Sequence, residues 1–252
     1  MADLPDDLVR LWRLPTGSGL GRPAALDTDR VVRTAVELAD QSGLTGATLP
    51  KIAERLGVTP MSLYRYIGSK DELLVLMGDM AFVPDIGHAP RSWRAGLHGW
   101  AAGLWRAYRA HPWLAELPVS GPPRGPNAIA WMDAGLRAMR DIGLDRMTKV
   151  GILTLLGGYV NMAARMAQQL EQGWRAGGAV DPAGAAADYG REMNALIEPS
   201  RFPDAAELFS SGVFGSSAAP ATRAPADPAE ANFVFGLEVI LDGVESMVSG
   251  ER

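Results

Sequence analysis

The feature that most constrains this chain is the stretch from Thr48 to Leu74, TLPKIAERLGVTPMSLYRYIGSKDELL. Leu49 to Leu56 has helical apolar spacing and stops at Gly57, a residue that enters a left-handed turn at no steric cost. Thr59 is a cap residue, and Pro60 suits the first helical position, where its missing N–H is harmless. A second short helix is therefore predicted over Pro60 to Tyr66. Ser69 opens SKDE, a capping box in which Ser69 and Glu72 are expected to satisfy free N–H groups reciprocally. Helix, tight turn, helix is the spacing of a helix-turn-helix, whose second helix enters the major groove of duplex DNA.

The flanks complete a three-helix unit. Thr28 is expected to cap a helix from Asp29 to Gln41, with Gly43 past its end. Val32, Ala35, Val36 and Ala39 share one face of it. Ile52, Ala53 and Leu56 line the next helix, and Val58, Leu63 and Ile67 fill the remaining core. A helix from Lys70 to about Phe82 follows and ends before Pro84. Residues 1–26 have an acidic start, a small apolar patch (Leu8, Val9, Leu11, Trp12) and then PTGSGLGRPAAL, which predicts a flexible arm. Arg22 on that arm either reaches a minor groove or belongs to a disordered terminus; the sequence leaves both open.

From residue 91 the apolar pattern lengthens. Helices are expected over Arg91–Ala110, Asn127–Ile142, Asp145 or Thr148 to about Trp174, residues 185–198, Asp204–Ser210 and Ala229–Val248. PVSGPPRGPN, residues 177–184 and residues 210–228 read as breaks. No segment alternates with period two, so the chain is read as all-α. An arm (1–26) precedes a helix-turn-helix domain (27–75) and a helical domain (76–252).

Charge is unevenly spread. The 252 residues carry a net charge of −5, yet residues 51–70 hold Lys51, Arg55, Arg65 and Lys70 against Glu54 alone. Positive potential is local to the proposed reading unit, and an acidic remainder limits non-specific association with phosphate. The chain has no cysteine, which excludes disulfides and thiolate metal sites. His88, His98 and His111 lack helical ligand spacing, so no metal or other cofactor is expected. No apolar run is expected to be long enough to span a bilayer and the N-terminus lacks a secretory pattern, making cytoplasm the default. No nucleophile elbow or phosphate loop points to an enzyme.

The candidate DNA contacts follow from placement. Met61, Ser62 and Arg65 are expected to project from the second helix toward base edges or phosphates, with Thr59 and Pro60 at its start. Tyr64 and Tyr66 offer hydroxyls to phosphate oxygens. Lys70, and Thr48 one helix earlier, sit at helix starts whose free N–H groups attract phosphate.

The run RVVRTAVELADQSGLTGATLPKIAERLGVTPMSLYRYIGSKDELL, residues 30–74, resembles the DNA-binding domain of the TetR (tetracycline repressor-like) family of bacterial transcription regulators. LYRYIGSKDELL is the most specific part, and the closing FVFGLEVILDGVE resembles the last helix of the tetracycline-repressor-type C-terminal domain. The resemblance implies that Pro60 to Tyr66 reads the major groove while Thr48, Tyr64, Tyr66 and Lys70 hold the backbone. It implies a homodimer through helices 148–174 and 230–248, packed as a four-helix bundle on a palindromic operator. The two heads would stand about one DNA turn apart, roughly 34–36 Å or somewhat more.

A ligand-binding second domain is expected to use its Trp and Met residues as pocket walls. The candidates are Trp100, Trp105, Tyr108, Met132, Tyr159, Met162 and Met166, with Asn161, Gln168, His98 and Arg165 as further polar groups. Residues of these types at helical spacing are core more often than pocket wall. The reading is a ligand-responsive repressor released by a small apolar or aromatic effector. The alternatives are a DNA-binding regulator without an effector and an all-α enzyme.

Overall fold

A computed structural model describes residues 4–15, 26–84, 92–118, 121–176, 182–214 and 227–250, without the side chains of 182 and 183. Eleven α-helices and no strand occur among the described residues. The chain divides into two units, one formed by residues 1–165 with 237–252 and one by residues 166–236.

The first unit begins with α1 (Asp6–Leu11), which departs from the flexible arm expected of residues 1–26. Asp6 and Asp7 in its first turn and Arg10 in its last complement the helix dipole. Leu11 is buried among the residues of the head core, and that burial offsets the ordering of a segment the sequence marks as loose. Arg13 closes the helix in a left-handed conformation and donates back to the Arg10 carbonyl at 2.6 Å. Arg22 lies outside the described residues.

Then follow α2 (Thr28–Ser42), α3 (Leu49–Leu56), α4 (Pro60–Ile67) and α5 (Lys70–Ala81). Asp27, not Thr28, caps α2, accepting from the Arg30 N–H at 2.8 Å. Thr28 is instead the first helical residue and donates its hydroxyl to the Tyr66 carbonyl at 3.0 Å, tying α2 to the end of α4. Gly57 takes the left-handed conformation (φ 69°, ψ 33°), and Val58 N–H returns to the Ala53 carbonyl at 3.0 Å, a Schellman closure. Val31, Val32, Ala35, Ile52, Leu63, Ile67 and Met77 are fully buried where these helices meet. Trp113 and Leu114 belong to the same apolar cluster, so the head core is continuous with the helices that follow.

The turn from α4 to α5 is sharper than a loop of ordinary residues allows. Gly68 (φ 69°, ψ −66°) is the centre of a γ-turn closed by Ser69 N–H on the Ile67 carbonyl at 2.8 Å. A Cβ there would also meet the Glu72 carboxylate, which would have to shift.

The unit continues with α6 (Trp93–Ala110), a 3₁₀ turn (Pro112–Glu116), α7 (Pro126–Ala138), α8 (Arg146–Ala176) as far as residue 165 and α11 (Pro228–Gly250) from residue 237. Between α8 and α11 come α9 (Pro182–Leu196) and α10 (Pro203–Ser210). The helix expected to run to Ile142 stops four residues earlier, where Met139 and Arg140 bond three residues back and tighten the chain into a turn. Leu97, Leu156, Val160, Leu237 and Leu241 are buried cores of α6, α8 and α11. Gly135 lets Leu153 of α8 come close to α7. Arg94 on α6 reaches three carboxylates on α11: Glu238 at 2.5 Å, Asp242 at 2.6 Å and Glu245 at 2.9 Å. Hydrogen bonds to Glu238 and Asp242 hold its proton more tightly than an isolated guanidinium would.

In the second unit, Tyr189, Phe209 and Phe214 form an aromatic cluster, and an open cleft of about 360 Å³ is lined by Asn194, Ile197, Pro199, Pro203, Ala206, Glu207 and Ser210. α8 is long and apolar enough, by length and composition, to cross a membrane, contrary to the expectation from the sequence.

Candidate nucleic-acid interface

The face of the head is built by helix starts. Thr48, Thr59, Pro60, Met61, Ser62, Tyr64, Arg65 and Lys70 are all exposed, and Tyr66 is half-buried. Thr48 and Thr59 sit at the cap positions of α3 and α4 but make no side-chain cap bond, contrary to the expectation for Thr59. The Ser62 hydroxyl donates to the Thr59 carbonyl at 2.6 Å. Arg65 lies over the Tyr66 ring, 5.0 Å from its centroid, and donates to the Tyr66 hydroxyl at 2.5 Å. Leu63 and Ile67 anchor the opposite side of α4 in the core, which fixes the direction in which the exposed face points.

Only half of the expected capping box forms at α5. The Ser69 hydroxyl accepts from the Glu72 N–H at 3.0 Å, but the Glu72 carboxylate accepts from Arg10 instead of returning to Ser69. A charge-assisted bond from a guanidinium outcompetes one from a backbone N–H. Lys70 remains exposed at this helix start, beside the acidic Asp71 and Glu72.

The head is moored to the following helices at three places that the sequence reading missed. Asp79 near the end of α5 caps α7: its carboxylate accepts from the Ala128 N–H at 3.1 Å and the Asn127 N–H at 3.4 Å, and its carbonyl accepts from the Asn127 amide at 2.8 Å. A Cβ on Gly125 would collide with that carboxylate, so glycine there makes the approach possible. Burial pushes the Asp79 carboxyl above its ordinary range, against the opposing pull of the two N–H groups. Asp40 on α2 accepts from His111 and from the Trp113 indole, each at 2.7 Å. α1 supplies the third mooring: Asp7 pairs with Arg124 at 2.9 Å, and the Trp12 indole donates to the Arg124 carbonyl at 2.8 Å. A carboxylate placed on an otherwise apolar helix flank, as in LMGDMAF, was the one local signal for Asp79.

Beyond Asp79 an aromatic cluster begins. Phe82, just past α5, meets Tyr108 and Trp131 with ring centroids 5.4 and 5.9 Å apart, and Trp131 meets Trp100 at 5.9 Å. The Trp131 indole donates to the Phe82 carbonyl and the Trp100 indole to the Trp131 carbonyl, both at 2.8 Å. Asn161 of α8 donates to the Tyr108 hydroxyl at 2.9 Å, and burial pushes that phenol above its ordinary range. Of the proposed pocket walls, Trp100 and Trp105 are buried and Tyr108, Met132 and Tyr159 are half-buried. Met162 and Met166 are instead more than half exposed. None of these seven lines the cleft between α9 and α10. No cluster of three or more metal-ligating side chains occurs among the described residues.

A helix-turn-helix head moored to a longer helical body defines a DNA-binding regulator. Residues 31–77 match the family described as "Bacterial regulatory proteins, tetR family", and residues 86–248 match "Tetracyclin repressor-like, C-terminal domain". The chain belongs to the TetR family of DNA-binding transcription regulators. It is 34% identical to the HTH-type transcriptional repressor DrrR1 of Streptomyces coeruleorubidus, over 99% of this chain and 88% of that one. It is 30% identical to the class C tetracycline repressor protein of Escherichia coli, over 58% of this chain and 68% of that one. The crystal structure of the Streptomyces coelicolor TetR family protein ActR in complex with actinorhodin is similar, with a TM-score of 0.72 and 27% identity over 91% of this chain and all of that one.

Proposed function

We propose that this protein is a homodimeric, cytoplasmic repressor that binds a palindromic operator through α4 and lets go when a small aromatic ligand enters the helical body. The observation that carries the reading is the unbroken path from Lys70 to the aromatic cluster. α5 starts at the exposed Lys70 and stops one residue before Phe82, whose ring and carbonyl are both engaged by Trp131. Asp79, one turn earlier, holds the first turn of α7. A planar ligand that displaces Trp131 or Tyr108 would therefore move the end of α5, and with it the phosphate-facing start. The complex of ActR with actinorhodin supports a small-molecule ligand. A coupling of about 1–3 kcal/mol between the two sites gives several-fold to more than hundredfold release.

Dimerisation is supported by what α8 and α11 leave uncovered. Leu155, Met162, Met166 and Leu170 on α8, and Phe235, Val239 and Met247 on α11, are exposed apolar side chains at helical spacing. Such stripes suit a bundle of α8 and α11 with their symmetry mates, and they account for the apolar length of α8 without a membrane. Thr48, Tyr64, Tyr66 and Lys70 would hold phosphates, with Arg22 as a further contact from the arm. Trp100, Trp105, Tyr108, Met132 and Tyr159 would border the ligand.

The test begins with selection of bound fragments from random duplex DNA. Release of the selected operator is then followed by anisotropy while actinorhodin and smaller aromatic compounds are titrated, with tryptophan fluorescence reporting binding. Compounds that quench the tryptophans and also release the operator support the reading. Compounds that bind and leave the operator in place remove the ligand-responsive part of it.

A further inference from the structure

The exposed face of α4 displays two unlike chemistries one turn apart. Met61 is 76% exposed, more than any other large apolar side chain among the described residues. The fold has no use for it there, because Leu63 and Ile67 already fill the inward stripe. Arg65, four residues on, is steadied by the ring and hydroxyl of Tyr66. Ser62 between them has given its hydroxyl hydrogen to the Thr59 carbonyl and can only accept. α4 carries no carboxylate, the group that selects cytosine.

We propose that Met61 and Arg65 are the base-reading pair of this protein: Met61 packs on the C5-methyl of a thymine, and Arg65 donates to O6 and N7 of a guanine. The inference rests on α4 being the DNA-reading helix. In the major groove only thymine presents a methyl group, and guanine alone presents two adjacent acceptors matched to the guanidinium fork. Tyr66 is a positioning residue. By stacking under Arg65 and accepting from it through its hydroxyl, it reduces the side-chain freedom lost when the fork meets its base. Four residues of helix advance about 6 Å, less than two base-pair rises, so the thymine and guanine fall within about two positions of each other in each half-site.

The experiment uses the full chain. Selection from random duplexes is expected to return a palindrome with a thymine and a guanine so spaced in each half. Replacing that thymine by deoxyuridine removes only the methyl, and is expected to weaken the wild type about fourfold per half-site. The same replacement should leave Met61→Ala unmoved. Replacing the guanine by 7-deazaguanine should weaken the wild type and leave Arg65→Ala unmoved. Tyr66→Phe, which keeps the ring, should narrow the preference for guanine without changing the salt dependence. Equal wild-type affinity for thymine and deoxyuridine operators overturns the Met61 assignment. Uniform weakening of all sequences by Arg65→Ala, with a flatter salt dependence, marks a phosphate contact and overturns the Arg65 assignment. A wild type that selects no DNA overturns the reading of α4 itself, and this pair with it.

Discussion

Arg10 and Glu72, 62 residues apart, are joined by two hydrogen bonds to one carboxylate oxygen, 2.9 Å from Nε and 2.6 Å from Nη2. Glu72 belongs to the first turn of α5 and Arg10 to the last turn of α1, so the pair fastens the N-terminal helix onto the head. Both side chains are only about a quarter exposed (25% and 28%), which places the pair between a surface bridge and a buried one. Arg10→Ala is expected to cost about 1 kcal/mol of stability. Chemical denaturation checks it, and the loss should shrink in high salt as the pair is screened.

Asp79 predicts a pH dependence of unusual sign. Burial raises its folded-state pKa above the ordinary 3.8, so the folded protein takes up this proton before the unfolded chain does. Its contribution to stability therefore grows as pH falls from above the raised value toward the ordinary one, opposite to a salt-bridged carboxylate. Asp79→Asn removes that contribution. The stability of wild type relative to this variant should rise on acidification across the window, measured by urea unfolding at a series of pH values.

Asp79→Ala tests the mooring itself. It leaves two N–H groups at the start of α7 without their carboxylate and is expected to cost about 1 kcal/mol, as other lost caps do. Operator affinity without ligand should change little, while the concentration of ligand needed for release should rise. Paired binding and release titrations separate the two effects.

Lys70 and Tyr64 should differ in how salt exposes them. Lys70→Ala is expected to lower the slope of log affinity against log salt by about 0.9 per protomer, the signature of one phosphate charge. Tyr64→Phe removes a neutral hydroxyl and should weaken binding with the slope intact. Filter binding or anisotropy at several salt concentrations distinguishes them.

Met162, 65% exposed, is a test of self-association. Met162→Glu leaves the protomer interior untouched but places a charge in the proposed bundle. The expected result is a folded monomer by circular dichroism and sedimentation, with operator affinity sharply reduced because a palindrome then engages one head at a time.

What the sequence made legible was local. Gly57, Pro60 and Ser69 act through their own backbone or their nearest neighbours, so α3, α4 and α5 were readable to within a residue or two. The start of α2 slipped by a position because Asp27 and Thr28 are both able to cap, and only the fold decides between them. The second half of the capping box failed for a distant reason, the arrival of Arg10. The Gly/Pro/Ser run of the arm obscured α1, whose order comes from burial of Leu11 rather than from propensity. Asp40 and Asp79 were missed because a mooring is defined by its partner across the fold. Met162 illustrates a further limit: periodicity identifies an apolar face but says nothing of what covers it.

The moorings at Asp7, Asp40 and Asp79 are carried by α1, α2 and α5, and none draws on the outward side chains of α4. What a protein of this build recognises and what it responds to can therefore diverge independently. Met61, Ser62 and Arg65 are open to exchange during descent, or by grafting, into a regulator that answers the same chemical signal at a different set of promoters.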